Sequence, residues 1–273
     1  QINLVRIFEN AGLNIEVTKP EDADLLVAGC YGKRILDDPL LTSDKLVIFV
    51  SGENISPSYN IHDFSLTSRS NSYCGKNTRF AQWLGELSTY KEGIELREHK
   101  KYLYKKFPKR DLFITAIYNN STPEREEAVT MLRNAFGKEK VNVFGSQRTG
   151  EINKFEKLAR SNINLCFENS LGNGYITEKL LHAKIMGCKA LYWGDKYYTQ
   201  DFNKEGVMNT NEINSFDVAV EWCEKQIEKL TKPPELWWKI DESIFTKPPT
   251  YTQVEKSIAK WSKIILTWRS PRY

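Results

Sequence analysis

Cysteine, histidine and long apolar runs are what this sequence has least of, and each shortage excludes a class of protein. Its five cysteines (Cys30, Cys74, Cys166, Cys188, Cys223) are odd in number, widely spaced and form no C-x-x-C pair. Neither a disulfide framework nor a zinc knuckle is indicated, and buried reduced thiols are expected. His62, His99 and His182 are scattered and make no H-E-x-x-H pattern, so no zinc signature is present. No apolar stretch approaches the roughly 20 residues that span a bilayer, and the start Gln1-Ile2-Asn3 has no signal-peptide layout. The G-x-x-x-x-G-K-[ST] and G-x-G-x-x-G fingerprints are missing too, which counts against kinases, P-loop NTPases and ordinary dehydrogenases. Charge of one sign is scarce: 39 Lys and Arg stand against 35 Asp and Glu, a net of +4 over 273 residues. That surplus does not announce a nucleic-acid binder, but it suits a protein that handles an anionic small molecule.

What is present is the composition of a globular protein, 40% hydrophobic and 27% charged, long enough for one large or two ordinary domains. Short β-type runs alternate with helical-period segments, which predicts an α/β fold with largely parallel sheets. In the first part, 25–28 and 45–50 read as buried strands and 78–87 as a helix. A second series follows: strand 112–118, helix 123–136 started by Ser121 or Thr122 with Glu124 near its positive end, strand 140–144, helix 151–160, strand 163–167, helix 177–186 ended by Gly187, and strand 189–193. The basic stretch 97–110 between the two series reads as a solvated connector. Two Rossmann-like domains facing each other across a cleft are expected, residues 1–108 and residues 109–273, the latter including C-terminal helices at 216–230, 236–240 and 251–268. Proline pairs at 233–234 and 248–249 separate those helices, and Trp237, Trp238, Trp261 and Trp268 are expected to be packing anchors.

The densest polar stretch runs Phe167-Glu168-Asn169-Ser170-Leu171-Gly172-Asn173-Gly174-Tyr175-Ile176-Thr177-Glu178-Lys179. It lies between a strand and a helix start, which is where α/β sheets bind ligands. Gly172 and Gly174 allow close backbone approach, and the helix points free N–H groups and its positive end outward. Lys179 in the first turn is electrostatically out of place there. A bound polyanion would resolve that conflict; an ordinary cap with a surface lysine is the alternative.

This stretch resembles the donor-binding motif of the α-1,3-fucosyltransferases, family ten of the glycosyltransferases, whose bacterial members carry F-E-N-S-x-G-Y-G-Y-V-T-E-K and then Y-W-G. Here FENSLGNGYITEK is followed by Tyr192-Trp193-Gly194 and by Asp201-Phe202-Asn203. A second match is Gly52-Glu53-Asn54-Ile55-Ser56-Pro57-Ser58-Tyr59-Asn60 with His62-Asp63-Phe64, against the family's G-E-N-x-S-P-N-F-N. Gly145-Ser146-Gln147-Arg148 is a looser third match. The resemblance spans 47–209. Asn173 departs from a position that is often aromatic in the family, and Ile55 from one that is often glutamate in its bacterial members.

The resemblance implies the type-B glycosyltransferase architecture and inverting transfer of L-fucose from GDP-β-L-fucose to a glycan acceptor containing GlcNAc, forming an α-1,3 linkage. It implies Glu53 as the catalytic base and Arg148 and Lys179 on the donor diphosphate. Tyr175 and Glu178 would reach the ribose and fucosyl region, with Glu178 also stabilising the positive sugar. Ser170, Glu168 and Asn169 fall in the donor-binding stretch, the last two being equally open to a structural role at a strand end. It also implies that no cofactor or metal is required, and that the final helix crosses back to the first domain.

The D-x-D of Asp22-Ala23-Asp24 precedes a strand rather than ending one, so it is not expected to hold a metal. Three N-x-S/T triplets begin at Asn54, Asn119 and Asn120. A glycan on Asn54 would crowd Glu53, so the chain is expected to be cytoplasmic, at most membrane-peripheral, or in the Golgi lumen if an anchor was removed. The expected partners are a nucleotide sugar and an oligosaccharide, with no nucleic acid. A type-B transferase for another nucleotide sugar and an inactive nucleotide- or glycan-binding module are the alternatives.

Overall fold

A computed structural model describes residues 4–31, 45–89, 110–150, 152–227, 245–246, 250 and 252–268. The connector expected at 97–109, His99, the helix expected at 236–240 with Trp237 and Trp238, and both proline pairs lie outside the described residues. The chain divides into two compact units, the first made of Gln1–Thr89, Gly172–Tyr175 and Pro249–Tyr273, the second of Tyr90–Leu171 and Ile176–Pro248.

The first unit is built on helix α1 (Leu4–Asn10) and strands β1 (Leu25–Ala28), β2 (Leu46–Ser51), β3 (Phe64–Thr67) and β4 (Asn77–Arg79), followed by helix α2 (Gln82–Thr89). The strands pair in the order β1-β2-β3-β4, all parallel. Val47, Ile48, Phe49 and Leu66 are almost wholly buried, the unbroken apolar reading of strands covered on both faces. The helix expected at 78–87 is corrected. Residues 77–79 pair with β3, and Phe80 N–H donates to the Thr67 carbonyl at 2.6 Å, so the chain turns helical only at Gln82. β3 itself was missed because Ser65 and Thr67 interrupt its apolar pattern; both hydroxyls are buried and donate to Asn77 Oδ1 at 2.8 Å.

The C-terminal helix α8 (Thr252–Trp268) packs with this first unit rather than with the second. Val254, Ile258 and Trp261 recur at helical spacing on its buried face. The Trp261 ring stacks on Phe64 with centroids 4.7 Å apart, and its indole N–H donates to the Gly75 carbonyl at 3.1 Å. Trp261 is thus the packing anchor expected of it.

The second unit has strands β5 (Leu112–Ile117), β6 (Val141–Phe144), β7 (Ser161–Phe167), β8 (Lys189–Trp193) and β9 (Val207–Asn209) in one parallel sheet of order β6-β5-β7-β8-β9. Helices α3 (Pro123–Phe136), α4 (Ser146–Thr149), α5 (Lys154–Arg160), α6 (Glu178–Ile185) and α7 (Phe216–Ile227) accompany it. α3 starts where the sequence indicates: the Thr122 side chain accepts from Arg125 N–H, and Pro123 stands in the first turn. Ile114, Ala116, Leu132, Val141, Ile163 and Leu191 form the core.

Arg110, expected at the end of the solvated connector, instead donates to the carbonyls of Ser161 at 2.5 Å, Met186 at 3.0 Å and Gly187 at 2.9 Å. It ties the C-terminal end of α6 to the start of β7. The thiols of Cys166, Cys188 and Cys223 are buried, but Cys30 is half-buried and Cys74 exposed, so the expectation of buried cysteines holds for three of five.

Candidate functional site

A parallel sheet in which the first strand has its second on one side and its third on the other leaves a crevice at its carboxyl end. β5, flanked by β6 and β7, is that strand. A cleft of about 400 Å³ opens there, lined by Tyr118, Asn119 and Asn120 after β5, Gly145 after β6, Asn169 after β7, Ile117, Arg125, Ile152 and Lys154, and by Glu178 and Lys179 at the start of α6. Three cations and the N-terminus of α6 therefore face one crevice, which suits an anion.

Behind the cleft the FENSLGNGYITEK stretch is held by Glu168. Its carboxylate is wholly buried and accepts from Thr177 N–H at 2.8 Å, from Thr177 Oγ1 at 2.7 Å and from Lys179 Nζ at 3.2 Å. Burial pushes this carboxyl up, against the pull of Lys179 and Thr177. The misplaced charge read from the sequence thus has an internal answer: Lys179 is neutralised by a carboxylate eleven residues earlier in the chain. Burial disfavours the ammonium, but Glu168 and Glu178 outweigh it and raise its pKa. Glu178 stands 3.4 Å from Lys154 and 3.9 Å from Lys179. Burial pushes its carboxyl up, yet the two lysines prevail and hold it down at about 2.

The middle of the same stretch, Gly172–Tyr175, belongs to the first unit. Gly174 has φ +88°, and a Cβ there would lie 2.3 Å from the Ser68 carbonyl; a Cβ on Gly172 would meet Asn54 at 2.4 Å. The close approach these glycines permit is to the chain itself. Ser70 N–H donates to the Asn173 carbonyl and Arg79 Nη2 to that of Gly174. Tyr175, 1% exposed, donates from its hydroxyl to Glu53 Oε2 at 3.1 Å. Glu53 follows β2, and its Oε1 accepts from Tyr31 at 2.5 Å.

Glu178, Lys179 and Asn169 thus line the cleft, Glu168 stands behind it, and Glu53 and Tyr175 meet in the first unit. Ser170, half-buried, follows Asn169. Arg148 does not line the cleft; it donates to Ser121 Oγ at 2.6 Å and Glu126 Oε1 at 2.5 Å, with its guanidinium 5.1 Å from the centroid of Tyr118, which does. Sequence reading missed Tyr118, Arg125 and Lys154. Asn119 and Asn120 were noticed only as glycosylation triplets, although their place directly after a strand was the available signal. Arg125, 2% exposed, donates to the carbonyls of Phe167 and Asn120 and to Asn169 Oδ1. Asp22 and Asp24 lie in the turn before β1, where Lys45 Nζ donates to the Ala23 carbonyl. Among the described residues no three His, Cys, Asp or Glu side chains gather as a metal set.

Two units, each on a parallel sheet, one with a cation-lined crevice at its switch point, define a Rossmann-like α/β protein. Comparison with solved structures supports that fold. The chain superposes on a crystal structure of an α1,3-fucosyltransferase with TM-score 0.72 and 22% identity, covering 96% of this chain and 84% of that one. Structures of an α1,3-fucosyltransferase with GDP and with GDP-fucose give TM-scores of 0.64 and 0.65 at 20% identity, covering 96% and 95% of this chain and 95% of each of theirs. In sequence the chain is similar to an α-(1,3)-fucosyltransferase of Helicobacter pylori, 26% identical over a 228-residue alignment that covers 70% of this chain. The chain spans about half the length of that relative, 48%. No family model matches the chain.

Proposed function

We propose that this chain is an inverting α-1,3-fucosyltransferase that moves L-fucose from GDP-β-L-fucose to a hydroxyl of a glycan containing GlcNAc. The observation that carries the reading is the crevice in the second unit, where Lys154, Lys179 and the first turn of α6 converge beside the FENSLGNGYITEK stretch. Its relatives support the nature of the anion, since two similar folds were solved with GDP and GDP-fucose.

In this reading Lys154 and Lys179 bear on the diphosphate, and the N-terminus of α6 adds its partial charge. Arg125 raises the potential from below, and Arg148 reaches the rim over Tyr118. Departing GDP then gains compensating charge from the protein, so no metal or other cofactor is required. Glu178, held ionised by its lysines, faces the ribose and the positive sugar. Asn169 and Ser170 border the nucleotide, while Glu168 acts through Lys179 and Thr177 as the positioning group. Glu53 takes the acceptor's proton, a contribution of about 10² to 10⁴ in rate. The partners are a nucleotide sugar and an oligosaccharide; no helix among the described residues is long and apolar enough to cross a membrane.

Thermal shift with GDP, UDP and CMP, followed by transfer from labelled GDP-fucose to N-acetyllactosamine, tests the reading. Stabilisation by GDP alone, with transfer, is expected. Stabilisation by UDP or CMP instead means another nucleotide sugar, and GDP binding without transfer or donor hydrolysis means an inactive module.

A further inference from the structure

The two oxygens of Glu53 are held in unlike ways, and the inference drawn from this rests on Glu53 being the base. The residue's backbone is fixed at the end of β2: its N–H donates to Ser51 Oγ at 3.1 Å, and Ser68 Oγ donates to its carbonyl at 3.5 Å. Oε2 accepts from Tyr175, a side chain 1% exposed on a turn docked by Gly174 against Ser68. Oε1 accepts at 2.5 Å from Tyr31, which is 78% exposed. The Tyr31 phenol is kept protonated, its pKa pushed up to about 12 chiefly by this hydrogen bond. An O–H donor pointing at Oε1 is the arrangement an acceptor hydroxyl must reproduce in order to lose its proton there. One phenol is locked in the interior, and the other stands at the surface.

We propose that Tyr31 is a displaceable stand-in for the acceptor hydroxyl at Oε1 of Glu53, and that Tyr175 is a positioning residue that keeps hold of Oε2 throughout. The acceptor hydroxyl takes the place of the Tyr31 phenol. As its oxygen bonds to the anomeric carbon of the donor, its proton passes to Oε1, the bond from that carbon to the diphosphate oxygen breaks, and the electron pair leaves with GDP. Until an acceptor arrives, Tyr31 occupies the oxygen that would otherwise activate water, so the donor is protected from hydrolysis.

The test is initial-rate kinetics of the full chain with GDP-fucose, with and without N-acetyllactosamine, for wild type, Tyr31→Phe, Tyr175→Phe and Glu53→Gln. Removing the competing phenol in Tyr31→Phe raises acceptor kcat/KM about two- to five-fold, and raises donor hydrolysis without acceptor by a similar factor, the scale of one exposed hydrogen bond. Tyr175→Phe lowers kcat about ten-fold through loss of orientation, with acceptor KM within about two-fold of wild type. A merely structural Tyr31 would not increase hydrolysis, and its surface position keeps that variant informative even if Tyr175→Phe is unstable. The proposal alone is overturned if wild type transfers and Glu53→Gln does not, while Tyr31→Phe leaves hydrolysis unchanged or lowers kcat/KM. If wild type neither transfers nor hydrolyses the donor, the fucosyl-transfer reading fails and this inference with it.

Discussion

Glu53 and Glu168 each stand just beyond the carboxyl end of a parallel strand, β2 in the first unit and β7 in the second. Glu168 is wholly buried and its partners are a backbone N–H, a hydroxyl and an ammonium. Glu53 is half-buried, and one of its oxygens accepts from an exposed phenol. The same group at the same topological place is a structural anchor in one unit and, in the function we propose, an accessible base in the other. Strand ends in α/β sheets supply sites, but what the side chain does there is decided by its partners and by whether one of them can leave.

The contrast breaks most sharply under isosteric replacement. Glu53→Gln is expected to lower kcat by about two to four orders of magnitude with GDP affinity intact, measured by initial rates and calorimetry; near-normal turnover would erase the distinction. Glu168→Gln should do the reverse to the molecule. It leaves Lys179 without its buried counter-charge and should cost about 3 kcal/mol of stability in chemical denaturation, the scale of a broken buried pair. A stability loss as large in Glu53→Gln would make the two carboxylates alike.

A finer effect comes from Glu178, whose carboxyl is lowered from 4.5 to about 2. A carboxylate with a depressed folded pKa stabilises the fold above its unfolded pKa, and that contribution disappears as the pH falls through the folded value. Glu178→Gln should therefore cost on the order of 2 to 3 kcal/mol at pH 7 and almost nothing near pH 2, if denaturation is followed across that range. A loss independent of pH would mean that packing, not charge, is what Glu178 contributes.

How much of this was legible in the sequence differs between the units for physical reasons. The second unit's strands are apolar runs set between capped helices, and Thr122, Pro123 and Thr177 mark helix starts by local chemistry alone. β3 and β4 were hidden because Ser65, Thr67 and Asn77 satisfy one another across strands, so their polarity misrepresents their burial. Arg110 reads as part of a solvated connector and Arg125 carries no local signal, yet both guanidiniums donate to carbonyls far along the chain. The FENSLGNGYITEK stretch pointed to the end of the sheet where the crevice lies, but the pairing of Lys179 with Glu168, and of Tyr175 with Glu53 122 residues away, is long-range information that spacing does not carry.

That pairing also decides which lysine interrogates the cleft. Lys179→Ala would strand Glu168 and confuse affinity with stability, whereas Lys154 lines the same crevice, meets Glu178 at its edge and is not bonded to Glu168. Calorimetric titration of GDP into wild type and Lys154→Ala is the most direct measurement. A loss of affinity of about ten-fold or more, the scale of a charge-assisted hydrogen bond to phosphate, is predicted, and an unchanged affinity would contradict the assignment of the crevice to the donor's diphosphate.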